Sequence, residues 1–509
     1  MRHSTKLLLN TIASYGRIIV NTIVTLISTR LALKYLGVDD FGLYNLIAGV
    51  VLMLSFLNSS LMISSQRYFS IAIGEGNKER LGKYFNASLG IHIIVSAVIG
   101  IFLLAILYPL FNGFLNIPAG KELVAVNIYL IMVLSAMATV GTIPYSAIIN
   151  AREDLVTLSF IDIIYCIGKL VAAVALMFVS KYLLVTYSLI MLMAVVAKML
   201  LEIGWSRKQY AETRLQKRQL FNRSICKEML GFVGWNTLGS IAMLFRNQGV
   251  AIVLNLFFGT VVNAAYGIAN HVNALVLSFA GTITTVFSPM IIQAKGAGDV
   301  KKMLSTAILS SKMSFLLSSV MALPVLTYLE ELLGLWLEDV PDHGYVFCEL
   351  TIFSFLIQQL YPGINRAVYA TGKIKGYQIS MSIFFVSIIL VGAWLFSMGC
   401  PPASILIVMM ISQTLVLLST VYYAWKYCHL PAMEFMIRSV VLPVVLFVFI
   451  LVAFMWAKQA LSIEVTIFSM IFFSCISVLI YLALYFMLIL NRDEQQSMMN
   501  IITNFKRKR

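Results

Sequence analysis

The chain has 509 residues, 60% hydrophobic and 12% charged, with a formal net charge of +15. An average soluble domain carries about 25% charged residues, so this composition excludes an ordinary soluble protein. The 30 glycines and 11 prolines are too few for a fibrous or disordered chain.

Apolar runs of about 20 residues recur along the whole sequence, and each can cross a hydrocarbon core of about 30 Å as a helix. Segments in lipid must satisfy their own backbone hydrogen bonds, which favours helices. The pattern predicts an all-α integral membrane protein with about 14 transmembrane segments. In chain order they span 7–33, 41–64, 85–111, 123–149, 158–179, 183–204, 229–257, 261–287, 303–329, 345–370, 379–398, 403–423, 440–457 and 463–490.

The distribution of lysine and arginine orients these segments. With the N-terminus inside, 26 of the 37 fall in cytoplasmic stretches and 4 in external loops. Because cytoplasmic loops are enriched in these residues, we predict a multi-pass protein with both termini in the cytoplasm. Contact with anionic membrane lipid accounts for the rest of the positive charge, so no nucleic-acid partner is expected. Residues 491–509 are predicted to form a basic, lipid-facing cytoplasmic tail.

Two stretches separated by 222 positions show an internal repeat. Ala72–Leu81 and Ala294–Met303 share Ala-x-Gly-x-Gly followed by Asn or Asp and basic residues, and Gly37 matches Gly259 at the same separation. The repeat predicts two parallel six-helix bundles at 1–204 and 229–437, with two extra helices in 438–490. A basic cytoplasmic linker, 205–228, is predicted to lie on the membrane surface as an amphipathic segment. Parallel-repeat transporters hold their substrate between the halves and use alternating access.

Pro144 and Pro362, separated by 218 positions, are weaker evidence for the same repeat. Proline removes a helical hydrogen bond and usually kinks the helix, so both are hinge candidates. The alternative is that membrane helices tolerate proline without any such role.

Basic residues inside the predicted segments are the candidate binding residues. Each costs about 2.5–3.5 kcal/mol at a helix centre and therefore needs a cavity, a partner or a route to the interface. Four lie close enough to segment ends to snorkel, whereas three lie near the middle of the membrane. The snorkelling candidates are Arg30, Lys198, Arg246 and Arg366, and the central ones are Arg17, Lys169 and Lys312.

Arg17 belongs to a polar stripe that follows helical spacing, formed by Asn10, Ser14, Arg17, Asn21, Thr25 and Ser28. Such a stripe either lines a water-filled cavity or holds helices together by hydrogen bonds. Asp162 shares a helix face with Lys169 and is a candidate for ion coupling. The alternative is that each central cation pairs with a neighbouring carboxylate, such as Asp162, and serves only packing. Cations outnumber carboxylates, which favours an anionic substrate such as a phosphate. The predicted substrate-binding residues are Arg17, Asn21, Arg30, Lys169, Arg246, Lys312 and Arg366.

The six cysteines and five histidines show no metal-ligand spacing, and the sequence has no nucleotide-binding loop. We therefore expect no metal site, no cofactor and no enzymatic activity.

The sequence Thr29–Tyr44, which joins the first two segments, contains Leu-Gly-x-x-x-Phe-Gly-Leu-Tyr. Together with Gln66-Arg67 and the following Gly-Glu-Gly-Asn, it resembles the polysaccharide-export branch of the multidrug/oligosaccharidyl-lipid/polysaccharide (MATE-like) superfamily, which includes O-antigen flippases. The resemblance implies a bacterial inner-membrane flippase for an undecaprenyl-diphosphate-linked oligosaccharide, destined for O-antigen, capsule or exopolysaccharide. A polysaccharide polymerase and chain-length machinery would be its partners.

Two other functions remain open at this stage. A drug or organic-ion antiporter of the same superfamily would need buried carboxylates, which are scarce here. A membrane glycosyltransferase or polymerase would need acidic catalytic residues in a sizeable external loop. The only such loop, Tyr328–Gly344, contains acidic residues that are better explained as a solvated lip.

Overall fold

The computed structural model describes residues 3–52, 55–111, 117, 120–337, 340–460 and 466–496. Every regular element in these ranges is helical, which confirms the predicted fold class. Eleven helices in the described ranges are long and apolar enough to cross a membrane. Their large apolar side chains are often exposed, as at Leu256 (75%) and Phe468 (79%). Lipid contact explains such exposure, because lipid is as apolar as a protein core.

The α-helices are numbered here in chain order. They are α1 (His3–Leu52), α2 (Ser55–Gly74), α3 (Lys78–Pro109), α4 (Glu122–Ala151), α5 (Leu155–Ala175), α6 (Leu183–Gln209), α7 (Arg223–Gly296), α8 (Val300–Thr327), α9 (Leu329–Trp336), α10 (Gly344–Gln358), α11 (Pro362–Thr371), α12 (Lys375–Ser397), α13 (Ser404–Cys428), α14 (Ala432–Phe435), α15 (Leu442–Ala460) and α16 (Ile467–Leu488).

Two of these helices each join a pair of predicted segments. The backbone leaves helical geometry at Gly37 in α1 (φ 79°, ψ 169°) and at Gly259 in α7 (φ 80°, ψ −168°). Only glycine adopts this conformation at low cost, because a Cβ would clash with the backbone. Division at the two glycines gives about fourteen membrane segments in the described part of the chain, when α10 is counted with α11 and the part of α1 after Gly37 with α2.

A second pair of sites also has the same local geometry in both repeats. Asn77 and Asp299 cap the N-termini of α3 and α8, and each side chain accepts a hydrogen bond from the backbone N–H three residues later at 2.9 Å. A glycine with positive φ precedes each cap, at Gly76 and Gly298. The polar signature found in the sequence therefore ends one helix and begins the next.

The helices divide into two compact units, each described here by itself. The N-terminal unit is residues 9–237, and the C-terminal unit is residues 1–8 and 238–509. In the N-terminal unit α4 contacts α2, α3 and α6, whereas in the C-terminal unit α8 contacts α10, α11, α15 and α16. The unit boundary thus lies inside α7 and not in the loop before it.

The linker predicted at 205–228 overlaps the end of α6 and the start of α7. After α6 ends at Gln209, the chain forms two short 3₁₀ turns that pack on α3 within the N-terminal unit. Asn86 donates to the Arg214 carbonyl at 3.2 Å and accepts from the Gln216 N–H at 2.8 Å. A Cβ on Gly90 would lie 2.0 Å from the Leu220 carbonyl oxygen, so glycine is required for this close approach.

The two hinge candidates differ in the structure. Pro144 lies inside the uninterrupted helix α4, whereas Pro362 occupies the first turn of α11, after a break that separates it from α10. Proline suits the first turn of a helix because backbone N–H groups there have no acceptor within the helix, so the N–H that proline lacks is not needed. Of the two prolines, only Pro362 therefore coincides with an interruption of the helical backbone.

The C-terminal segments also differ in part from the prediction. The thirteenth segment begins earlier than expected, at α14, and contains a π-helical turn (Met436–Val441) before α15. Residues 492–496, predicted to belong to a cytoplasmic tail, form a short helical turn after α16. The basic end of that tail, 506–509, lies outside the described residues, as do Glu338 and Asp339 of the predicted acidic loop.

Candidate functional site

The N-terminal unit contains two adjoining cavities among α1, α2, α4, α5 and α6, of about 580 Å³ and 370 Å³. Residues that line both are Asn58, Thr139, Tyr165 and Val195. The larger cavity is also lined by Lys169 and the smaller by Lys198. Hydroxyl and amide groups on membrane-spanning helices form part of both walls, so water or a polar ligand can enter them.

Asp162 is the centre of a charge network beside these cavities. Its two carboxylate oxygens accept hydrogen bonds from Arg17 Nη1 and Lys198 Nζ, each at 2.6 Å. Lys198 Nζ also lies 3.7 Å from the carboxylate of Glu202, which accepts a hydrogen bond from Ser146. Both carboxylates of the network are therefore engaged by cations or hydroxyl donors of the protein.

Lys169 differs from these residues because no carboxylate pairs with it among the described residues. Its ammonium group lies 4.9 Å from the centre of the Tyr165 ring, and its side chain lines the larger cavity. A cation–π contact of this kind stabilises an ammonium by about 0.5–2 kcal/mol without neutralising it. Since α5 ends at Ala175, Lys169 is closer to the end of its helix than the sequence predicted.

The polar stripe of α1 packs along α5. Asn10 donates to the Glu153 carbonyl at 2.8 Å, Arg17 pairs with Asp162, and Asn21 accepts from the Cys166 thiol at 3.1 Å. Further along α1 toward its C-terminus, Thr25 of the same stripe lines the larger cavity. Three of the six stripe residues therefore bond to α5 or to the turn before it, as helix-joining contacts would, and Thr25 contributes to a cavity.

The C-terminal unit contains a cavity of about 470 Å³ with an unusual number of side-chain amides. The amides are Asn247, Gln248, Asn263, Asn270, Asn273, Gln358 and Gln413. Arg246 also lines it, and its guanidinium carbon lies 4.8 Å from the centre of the Phe385 ring. None of the lining residues is acidic. The lining can therefore both donate and accept hydrogen bonds, and it carries a positive charge.

The cavities of the two units occupy corresponding places in the repeat. Tyr44 lines the larger N-terminal cavity and Tyr266, which is 222 positions later, lines the C-terminal one. Thr25 and Asn247 correspond in the same way. The repeat therefore supplies each unit with a cavity, whereas the charged and amide side chains differ between them.

The remaining predicted binding residues are not brought together with these cavities. Lys312 is 1% exposed and pairs with Glu494 at 2.8 Å, while it also donates to the Ile489 carbonyl at 3.2 Å. Arg366 lies 5.8 Å from the Tyr369 ring centre, and the Arg30 side chain is exposed. The ion pair with Glu494 explains the position of Lys312 in α8 without a substrate, so we do not retain it as a binding residue.

Sequence reasoning missed two features of the site. It assigned Lys198 to snorkelling, although Lys198 shares Asp162 with Arg17. It also overlooked the amide-rich face of α7, although Asn263, Tyr266, Asn270 and Asn273 follow helical spacing. No cluster of three or more potential metal ligands occurs in the ranges that the structure describes.

Near the linker, Asp154 accepts hydrogen bonds from Trp205 Nε1 at 3.3 Å and from the Tyr210 hydroxyl at 3.1 Å. Burial raises the pKa of the Tyr210 phenol, and the negative charge of Asp154 raises that pKa further. The phenol therefore remains protonated and serves as a donor. Arg152 pairs with Glu212 in the same region, which fixes the linker to the turn between α4 and α5.

Comparison with solved structures shows that the chain has the fold of MATE transporters. A structure described as MATE in the straight conformation matches with a TM-score of 0.72 and 15% identity, over 84% of this chain and 96% of that one. An outward-facing multidrug resistance MATE family transporter of the MOP superfamily matches with a TM-score of 0.70 and 15% identity over the same shares.

A third solved structure is a MOP superfamily transporter from Pyrococcus furiosus, described as having a binding pocket of reverse polarity that suggests a different function. Its TM-score is 0.68 at 15% identity, over 85% of this chain and 96% of that one. Among curated sequences, the uncharacterized membrane protein EpsK of Bacillus subtilis is 21% identical over 313 residues. The match spans 59% of each chain. No protein-family model matches the sequence.

Proposed function

We propose that this protein is a flippase of the bacterial inner membrane that moves an undecaprenyl-diphosphate-linked oligosaccharide from the inner to the outer leaflet by alternating access. The fold supports a transporter, and the cargo is inferred from the chemistry of the cavities together with the sequence resemblance. In this proposal both termini are cytoplasmic. A polysaccharide polymerase and chain-length machinery act on the product.

The observation that carries the proposal is the charge balance of the N-terminal cavities. Lys169 faces the larger cavity without a carboxylate partner in the described chain, whereas Asp162 and Glu202 are already engaged. An anionic group entering the cavity would gain charge-assisted hydrogen bonds where solvent screening is weak. A diphosphate is such a group, and the hydroxyl and amide side chains around it suit a polar cargo.

The second candidate function is export of drugs or organic ions, which the fold favours equally. One structural neighbour is a multidrug resistance transporter, and the larger cavity includes apolar residues such as Ile131 and Met132. An organic cation, however, would have to displace Arg17 or Lys198 from Asp162, and the other carboxylate of the network, Glu202, is only 1% exposed. The pocket of reverse polarity described for the Pyrococcus furiosus protein is a precedent for charge differences within this fold.

The test is deletion of the gene followed by analysis of lipid-linked sugars in the two leaflets. We expect lipid-linked oligosaccharide to accumulate on the cytoplasmic side, and expect wild-type protein to reverse this. Lys169→Gln should fail to complement, Lys169→Arg should complement in part, and Lys34→Gln, which removes an exposed cation, should complement fully. Normal lipid-linked sugars in the deletion strain, together with lost efflux of ethidium, would instead establish the exporter.

A further inference from the structure

Arg246 in the C-terminal cavity is buried, and no counterion pairs with it among the residues that the structure describes. The residue is 8% exposed, and its Nε donates to Asn247 Oδ1 at 3.0 Å. Nη1 has no hydrogen-bond partner in the same part of the chain. A buried donor left unpaired is costly, and a guanidinium more so than a neutral group. The group therefore requires an acceptor that the described protein does not supply.

Two further polar atoms of the same cavity are also unpaired. They are the amide oxygen of Asn273 and the hydroxyl of Thr351, neither of which has a hydrogen-bond partner in the described ranges. Asn270 and Asn247 present exposed amides on membrane-spanning helices, where contact with lipid tails would be unfavourable. These groups come from α7 and α10, so the unpaired donors and acceptors converge on one space.

The chemistry of the lining defines the kind of ligand. Side-chain amides offer donors and acceptors together, which matches hydroxyl and acetamido groups and gives no net attraction for a cation. A guanidinium adds a strong donor for one carbonyl, carboxylate or other acceptor oxygen. The volume of about 470 Å³ lies in the range of about 300–1,000 Å³ found for small-molecule sites.

We propose that the cavity lined by Arg246 and the amides of α7 is a sugar-binding subsite, which holds a hydroxyl- or acetamido-bearing sugar residue of the cargo. This proposal rests on the proposed flippase function and assigns the sugar to a site distinct from the Lys169 cavity. Arg246 binds an acceptor oxygen of the sugar, and Asn270 and Asn273 bind its hydroxyl or amide groups. The larger N-terminal cavity contains a cation and only two side-chain amides, Asn45 and Asn58, so the two cavities differ in the part of the cargo they suit.

The test uses the purified full-length protein in lipid nanodiscs and saturation-transfer NMR. The probes are N-acetylglucosamine, glucose and glucuronic acid, with farnesyl diphosphate as a sugar-free diphosphate. We expect at least one sugar to bind the wild type, and Arg246→Gln and Asn270→Leu each to weaken that binding about ten-fold. Asn127→Leu changes an exposed amide of α4 outside the cavities and should bind sugar as the wild type does.

Thermal unfolding identifies variants that fail to fold, and Arg246→Lys, which retains the charge, should keep part of the affinity. Absence of sugar binding in the wild type would overturn the proposal. So would undiminished binding in folded Arg246→Gln and Asn270→Leu, and the cavity would then contain only water.

Failure of the flippase function gives a different result. Sugar binding that depends on Arg246 would persist, while deletion of the gene would leave lipid-linked sugars unchanged. Conversely, lost flipping in the deletion strain with sugar binding insensitive to both substitutions would overturn the subsite alone. Farnesyl diphosphate binding that is lost in Lys169→Gln and kept in Asn270→Leu would place diphosphate and sugar at separate cavities.

Discussion

Replacement of Asp162 by asparagine tests the charge network most directly. The change preserves the size of the side chain and removes the charge that Arg17 and Lys198 share, each at 2.6 Å. At that distance, the Coulomb attraction of one pair is about 6 kcal/mol for an effective dielectric constant of about 20. Desolvation of the three charges cancels much of this attraction, so the net effect is considerably smaller.

Loss of one partner from a fully buried ion pair costs about 3–5 kcal/mol. Here the side chains of Arg17 and Lys198 are 32% and 31% exposed, so solvent screens part of the interaction. We therefore expect Asp162→Asn to destabilise the protein by about 2–3 kcal/mol. Arg17→Gln should cost less, because Asp162 keeps Lys198 as a partner.

The double variant Arg17→Gln with Asp162→Asn separates electrostatics from packing. In that variant Lys198 can still pair with Glu202, which lies 3.7 Å away, and Arg17 is no longer present as a cation deprived of Asp162. It should therefore be more stable than Asp162→Asn alone. Thermal unfolding of the purified proteins in detergent measures the relative stability of these variants. Equal melting temperatures for Asp162→Asn and the double variant would refute the network as an electrostatic unit.

Three further predictions concern other parts of the chain. Glu494→Gln should destabilise the protein by about 3–5 kcal/mol because it leaves Lys312 charged and buried. The double variant with Lys312→Met should recover most of the lost stability. Additive effects of the two substitutions in thermal unfolding would contradict this prediction. Gly37→Ala and Gly259→Ala should each cost about 1–3 kcal/mol from backbone strain, and markedly unequal losses would argue against equivalent turns. Leu215→Cys, in a variant without native cysteines, should resist an impermeant maleimide in intact cells and react in inverted vesicles; labelling in intact cells would reverse the predicted topology.

The fold was largely predictable because its signals are local. Length and hydropathy define membrane helices, and the glycines at 37 and 259 and the caps at Asn77 and Asp299 act through their own backbone. The repeat strengthened each of these signals, because the same residue types recur at one separation. Helix ends were less accurate, as at Ala175, since apolar residues continue beyond the last helical turn.

The site was predicted less completely because its partners are distant in sequence. The depth of Arg17 was evident, but its pairing with Asp162 joins residues on different helices, and Lys198 completes the network from a third. Glu494 was assigned to a tail, and nothing local in the sequence connects it with Lys312. The amides of α7 carry no formal charge, so a search for charges in apolar segments passes over them.

The position of the unit boundary inside α7 affects how the protein can be divided. The repeat suggests a cut in the linker, but Tyr68 donates to the Glu228 carbonyl at 3.1 Å, and Arg67 lies 4.9 Å from the Phe232 ring centre. A fragment ending at residue 204 would lose these contacts and expose the α3 groove that the linker fills. A cut at residue 237 would keep the contacts but sever a membrane helix. Half-proteins made at either position should therefore be poor substitutes for the whole chain, although the sequence looks like two copies of one module.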